Sequence, residues 1–395
     1  MHLINNVKEK VKRHKERHKS LDYQYLFSDS IHFLNLEHWN SIAKKNSIFL
    51  SQEYFSVIEK HSPKNTSQRY AIAYSNGKPL LILACQIADI RGECLIKPKK
   101  KIVSKVTRQY KERVLVCGNL ISSGLHGVAF APQLDQEMGW RIVAEILYKI
   151  RRSEKISGKI DFVLIKDLKG NKINQSKIME RFSYRKIQTD PDMVLTLGKN
   201  INSFDDYLGL LNSKYRNRVK KIIKNIKKGG FSCQKMTLTE ETEERLYSLY
   251  MQVEEQSKTR LATLSKGYFL GLSQYLGENF GCYGILKENE IVGFITIIKD
   301  HEEAVSYYVG FDYQINKKYP LYFRLLQLVI ESAADMKCKR VLFGRSALEP
   351  KANLGAKPVD VFLWARHRVP TVNFFVRQIF QNIPYDSAPE RKAIK

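Results

Sequence analysis

One order of elements runs through this chain twice, and that repeat restricts the fold more than any single motif. In the first half, Ser51 precedes an acidic first turn and an apolar-periodic stretch to Lys60, the pattern of a capped helix. Arg69–Tyr74 and Pro79–Cys85 are apolar runs around Asn76-Gly77, the clearest hairpin signal in the sequence. Val114–Ile121 reads as a buried strand. Met138, Ile142, Ile146 and Ile150 recur at helical spacing over 133–152, and the strand Asp161–Ile165 and a final strand pair ending at Leu197 follow. The second half reads alike. Helices over 203–228 and 239–258 precede a hairpin (282–298), a third strand (304–310), a helix opened by Pro320, a fourth strand (340–343) and a last strand (361–365). The likeness lies in pattern and not in residue identity. Hairpins combined with strand–helix–strand crossovers imply two α/β lobes, each a mixed, splayed sheet flanked by helices. The expected divisions are a basic segment over 1–20, lobes over 21–200 and 201–368, and an amphipathic tail over 369–395.

With 395 residues, 43% of them hydrophobic, the chain is long enough to bury two cores. No apolar run reaches the length of a membrane-spanning helix, and the charged N-terminus lacks a signal-peptide core, so a cytoplasmic protein is expected. The six cysteines are scattered singly, most of them in apolar runs. They read as reduced core thiols, and no metal site is expected.

The formal net charge of +26 calls for a polyanion. It is concentrated: residues 1–20 hold seven Lys and Arg, 97–113 hold eight, and 214–228 hold eight with no acidic residue. In the last stretch Tyr215, Val219, Ile222, Ile223 and Ile226 form one stripe, so a docked helix offers its cations outward. The bland reading is a lysine-rich surface that serves solubility alone.

Three passages of the second half carry a family likeness. They are Tyr207-Leu with Asn212-Ser-Lys-Tyr-Arg216, the run Tyr308-Val-Gly-Phe-Asp-Tyr-Gln-Ile-Asn-Lys-Lys-Tyr319, and Phe343-Gly-Arg-Ser-Ala-Leu-Glu-Pro-Lys-Ala-Asn-Leu-Gly-Ala356. With Val116–Gly124 of the first half, they resemble a Bacteroidetes family of tandem GNAT proteins over roughly residues 50–385. More distantly the chain is similar to Fem-type aminoacyltransferases, whose Tyr-Lys-x-x-x-Gly element is matched here by Lys351 and Gly355, with Pro350 in place of the tyrosine. Some distant relatives with this fold are bacterial ceramide synthases. The resemblance implies an acyltransferase with acyl-CoA or an acyl carrier protein as co-substrate and no tightly bound cofactor. One departure stands out. Ordinary GNAT enzymes cradle the CoA pyrophosphate with a glycine loop at a helix N-terminus. Here Gln314-Ile-Asn-Lys-Lys-Tyr-Pro320 lacks the glycines, leaving Lys317 and Lys318 as candidate phosphate ligands.

Acyl transfer to an amine needs a base, N–H donors for the carbonyl oxygen, and a proton for the leaving group. Tyr307 and Tyr308 lie on the third strand, where strand alternation puts one on each face, so one is expected in the cleft and the other in the core. Glu349 is the favoured base, grouped with the phosphate-binding candidates Arg345 and Lys351; a surface ion-pair cluster is its bland reading. Asp312 is a second candidate base or a helix cap. His126 and His367 read as ordinary histidines. The tail places Val372, Phe375, Val376, Ile379, Phe380 and Ile383 at helical spacing with Arg377, which suits docking on a lobe or contact with an anionic membrane.

The expected function is N-acyl transfer from acyl-CoA or acyl-ACP to an amine, a long-chain base or aminolipid, by a peripheral protein at the inner face of the membrane. Two rivals stand beside it. One is a Fem-like aminoacyltransferase using aminoacyl-tRNA on a cell-wall precursor, and the other is a non-catalytic binder of anionic membrane or nucleic acid.

Overall fold

A computed structural model of the protein describes residues 19–91, 111–198, 201–257, 261–381 and 388–395. Nearly all of the basic segments 1–20 and 97–113 lies outside the described residues. β1 (Gln24–Ser28) leads through α1 (Leu36–Ala43) and α2 (Gln52–Lys60) to the hairpin β2 (Thr66–Ser75) and β3 (Lys78–Arg91). Next come β4 (Lys111–Cys117), the short β5 (Val128–Phe130), α3 (Gln136–Ser153), β6 (Phe162–Lys169) and β7 (Arg185–Thr196). The second passage runs α4 (Phe204–Leu210), α5 (Ser213–Lys228), β8 (Phe231–Lys235), α6 (Glu240–Gln256), α7 (Tyr268–Leu276), β9 (Phe280–Lys287), β10 (Glu290–Asp300) and β11 (Glu303–Phe311). Then follow α8 (Tyr313–Lys318), α9 (Leu321–Asp335), β12 (Arg340–Leu342), α10 (Leu348–Ala352), β13 (Lys357–His367), α11 (Pro370–Phe374) and α12 (Val376–Gln381).

Local chemistry accounts for many of these limits. The Ser51 hydroxyl accepts from the Tyr54 N–H at 3.1 Å and starts α2, and the Asp135 carboxylate accepts from the Met138 N–H at 2.9 Å and starts α3. Between β2 and β3, Asn76 (φ 50°) and Gly77 (φ 74°) are both left-handed, the conformation that a two-residue hairpin turn matched to the strand twist demands.

The chain divides into two compact units. The first comprises residues 1–46, 65–189 and 362–384, and the second 47–64, 190–361 and 385–395. The break expected near residue 200 therefore falls inside the second unit. α2 belongs to the second unit, α11 and α12 to the first, and β7 and β13 each pass from one to the other.

In the first unit the strand order is β1-β2-β3-β4-β6, with the end of β13 beside β6. β4 and β6 are parallel, and the other registered pairs are antiparallel. α3 makes the crossover between them and buries Trp140, Ile142, Ile146 and Ile150 against Leu83, Cys85, Leu115 and Cys117. In the second unit the order is β8-β9-β10-β11-β12-β7, and again one pair, β11 with β12, is parallel around a crossover helix, α9. α4, α5 and α9 cover one face through Tyr207, Val219, Leu325 and Val329. On the other face Phe294 meets Phe269 of α7, with ring centroids 5.2 Å apart. Each unit is thus a mixed sheet flanked by helices, with hairpin, third strand, helix and parallel fourth strand in one order.

Candidate functional site in the second unit

The two units differ where β4 and β11 end. In the first unit the parallel ladder closes to the last residue of β4, Cys117 opposite Ile165. The loop beyond it is stitched down as well: the Gly118 N–H donates to Ala84 O at 2.9 Å and Lys166 Nζ to Ser122 O at 2.6 Å. In the second unit β11 and β12 pair only from Glu303–Arg340 to Val305–Leu342. Past that point Phe343 N–H donates to Met193 O (2.9 Å) and Met193 N–H to Gly344 O (3.2 Å), so the chain after β12 follows β7. β11 continues without it. Ser306, Tyr307, Tyr308 and Val309 all keep some exposure, although Val305 and Gly310 on either side are buried. A notch therefore opens between β11 and the end of β12, at the carboxyl end of parallel strands, where open α/β sheets bind ligands.

A β-bulge shapes that notch. Val309 pairs with Ile295 and Ser306 with Ile297, so Tyr307 and Tyr308 together oppose Thr296. The extra residue breaks the alternation of faces that the expectation for the two tyrosines relied on. Both rings lie against Tyr268, with centroids 6.4 and 6.3 Å from it and 4.8 Å from each other. The Thr296 hydroxyl accepts from the Tyr308 N–H at 2.9 Å and donates to Tyr308 O at 3.2 Å, which satisfies the bulged backbone.

Behind the bulge three phenols share hydrogen bonds. The Tyr307 hydroxyl is 2.8 Å from that of Tyr54 and 2.6 Å from that of Tyr268. Desolvation raises the pKa of Tyr268, Tyr307 and Tyr308 well above the ordinary phenol value, so these groups hold their protons and donate them. Tyr54 and Tyr268 join Tyr307 without any signal in the sequence. Nothing local marks them, since the trio joins residues 253 positions apart.

The loop after β12 carries the candidate cations and the candidate base, and it separates them. Lys351 is 2% exposed and donates to Gly344 O at 3.2 Å. Burial lowers its pKa to about 8, against the opposing pull of the Asp192 charge on β7. Arg345 is half-buried, and burial brings its pKa down to about 10. Glu349 is exposed instead and pairs with Arg391 at 3.1 Å. Two residues on a helix differ by about 200° in direction, so α10 turns the 349 and 351 side chains to different sides despite their closeness in sequence. Gly355 (φ 88°) ends this segment, and a Cβ there would lie 2.7 Å from Ile394. Exposed ion pairs contribute at most about 1 kcal/mol. Glu349→Gln is therefore expected to change stability by less than about 1 kcal/mol and to leave turnover close to that of the parent, measured by melting and by product formation.

Several other candidates make contacts within the protein. The Asp312 carboxylate accepts from the N–H groups of Gln314 (2.8 Å) and Ile315 (2.9 Å) and so caps α8. Lys317 and Lys318 are exposed in the last turn of α8, where Lys317 donates to Gln314 Oε1 at 3.1 Å. At the start of α9, the Leu321 N–H turns back to Tyr319 O (2.7 Å) and the Tyr322 N–H is held by Asn316 Oδ1 (3.0 Å). Two donors that would meet a phosphate at a helix N-terminus are thus taken by the protein itself. In the first unit, burial pushes the His126 pKa down to about 3, and its Nε2 donates to Ser123 O at 2.8 Å. The ligating atoms of Glu112, Asp161 and His367 lie within 4.8 Å of one another. His367 Nδ1 there accepts from the Val369 N–H (3.1 Å), and Asp161 pairs with Arg368 (2.6 Å).

No family model and no curated protein matches the chain. Among solved structures it is similar to FemX, with a TM-score of 0.56 and 10% identity over 90% of this chain and 100% of that one. It is also similar to a tandem GNAT protein from the clavulanic acid biosynthesis pathway, with a TM-score of 0.52 and 10% identity over 88% and 99% of the two chains. Two units of one element order, matched over nearly the whole of both structures, give this chain the tandem GNAT fold.

Proposed function

We propose that the protein is an N-acyltransferase whose chemistry runs in the notch of the second unit, with Lys351 as the proton acceptor. The observation that carries this reading is a buried lysine of pKa about 8 on α10, whose amine donates to Gly344 O just past the point where β12 and β11 part. Near neutral pH a useful fraction of such an amine is uncharged and takes a proton from an attacking amine. As the new C–N bond forms and the bond from the acyl carbon to its carrier breaks, Tyr307 hands a proton to the leaving group. It regains one along the Tyr54 and Tyr268 hydroxyls. Arg345 faces charge that develops on the acyl oxygen or resides on a carrier phosphate.

The donor is a thioester on CoA or a carrier protein, gripped through side-chain cations because two of the N–H groups at the start of α9 are taken by the protein itself. The acceptor is an amine at a membrane, a long-chain base or aminolipid. One observation favours a second donor, aminoacyl-tRNA. α5 carries eight cations and no acid, and its Arg218 lies over the Phe323 ring at the start of α9, 5.5 Å from the centroid. Incubating the protein with acyl-CoA, acyl-ACP and aminoacyl-tRNA donors, each with amine acceptors, separates the two by mass spectrometry of the N-acylated product. Comparing N-acylated lipids with muropeptides in a deletion strain gives the same decision in the cell. No N-acylated product from any donor would sink the enzymatic reading.

A further inference from the structure

We infer that the first unit carries the protein's membrane-docking face, built from an arginine cluster at the end of α3 and the exposed aromatic turn between α11 and α12. This deepens the reading of a membrane-borne acceptor given above and rests on it for its purpose, though not for its test.

The cluster is unusual in its charge. Arg151 and Arg152 stand over the Tyr148 ring, 5.5 and 5.9 Å from its centroid, and Arg366 stands 5.9 Å from that of Tyr184. Arg151 and Arg366 are close enough to repel: after burial, the Arg366 charge is the largest influence lowering the pKa of Arg151. Among the described residues no carboxylate pairs with Arg151, Arg152, Arg366 or Arg377. Like charges held together around aromatic rings without a counter-ion favour any anion that settles on them.

The apolar part follows Arg366 in the chain, α11 beginning four residues beyond it. Asn373 Nδ2 donates to Ser183 O at 2.9 Å, which ties α11 to the residue preceding Tyr184. The apolar stripe of the tail divides at this point. Val376 is fully buried and Phe380 packs on Phe162, whereas Phe374 is 66%, Phe375 54% and Ile379 42% exposed. The exposed phenylalanines stack edge to face, 5.1 Å apart, with Arg377 following. Past the end of α3, Ile156 is 98% exposed. Cations that no carboxylate pairs among the described residues, together with large exposed apolar side chains, match an anionic bilayer, whose headgroups take the charges and whose acyl boundary takes the rings. RNA would satisfy the arginines but offers nothing to isoleucine.

The test is flotation of the full chain with vesicles of phosphatidylcholine alone and of phosphatidylcholine mixed with phosphatidylglycerol. Binding is expected on the mixed vesicles and to fall with salt. Arg151→Gln with Arg366→Gln should weaken it about fivefold for each arginine removed and flatten the salt dependence. Phe374→Ser with Phe375→Ser should weaken it by about tenfold and keep that dependence. Phe374 and Phe375 are exposed and the two arginines half-buried, and melting curves would verify that each variant is folded. The inference is overturned if both variants float like the parent, if the parent floats on neither vesicle, or if RNA binding falls with the arginines while flotation does not. Transfer to a soluble amine, assayed in parallel, separates the two ideas. Loss of flotation with transfer retained upholds both, and flotation without any transfer keeps the docking face while removing the enzyme.

Discussion

Lys351→Met is expected to lower turnover by about 10²–10⁴-fold while the protein keeps its circular dichroism spectrum. Lys351→Arg should be equally inactive. Arginine supplies the charge but does not release its proton, so rescue by arginine would reassign the site to phosphate binding. The pH dependence follows from the same burial. Since Lys351 titrates near 8 in the fold, the turnover of the parent should rise through that pH, and the limb should vanish in the methionine variant. Stability carries a matching signature. An unfolded lysine titrates at 10.5, so between about 8 and 10.5 the unfolded chain binds the extra proton, and the fold gains stability as pH rises through this window. The increment is on the order of 3 kcal/mol and should be missing from Lys351→Met when the two are unfolded by denaturant at both pH values. Equal slopes in the two proteins would show that the lysine is not buried as a charge.

Gly310→Ala should cost stability on the order of 3 kcal/mol, more than most single methyl additions. Gly310 lies on β11 just beyond the bulge, and a Cβ there would come within 2.7 Å of Leu249 C and Tyr250 N and 2.4 Å of Phe294 Cε1. Two of these atoms are the backbone of α6, so the helix itself would have to lift from the strand. Tyr250 packs on Tyr308, with centroids 5.6 Å apart, so the same shift disturbs the tyrosines of the notch. Chemical denaturation is the measurement. A loss below about 1 kcal/mol would mean that α6 yields at little cost and that the glycine is there for another reason.

The sequence by itself determined what local physics determines. Asn76-Gly77, the Ser51 cap, the helical spacing of Met138 to Ile150 and the repeated hairpin-strand-helix-strand order all depend on residues within about 20 positions, and the structure has each of them. β8 and α7 are not legible in the sequence because neither has a strong period or punctuation of its own. Arg345, Lys351, Tyr307 and Tyr308 were legible as candidates because they cluster along the chain beside the end of a strand. Only the tertiary structure decided what each does. A bulge put both tyrosines on one side, the helical step of α10 sent Glu349 outward to Arg391 and Lys351 inward, and desolvation lowered that lysine's proton affinity. The phenol trio and the exchange of α2, α11 and α12 between units join residues far apart in sequence. Period and turn chemistry act through neighbours along the chain, whereas burial and proton affinity depend on everything that surrounds a side chain in space.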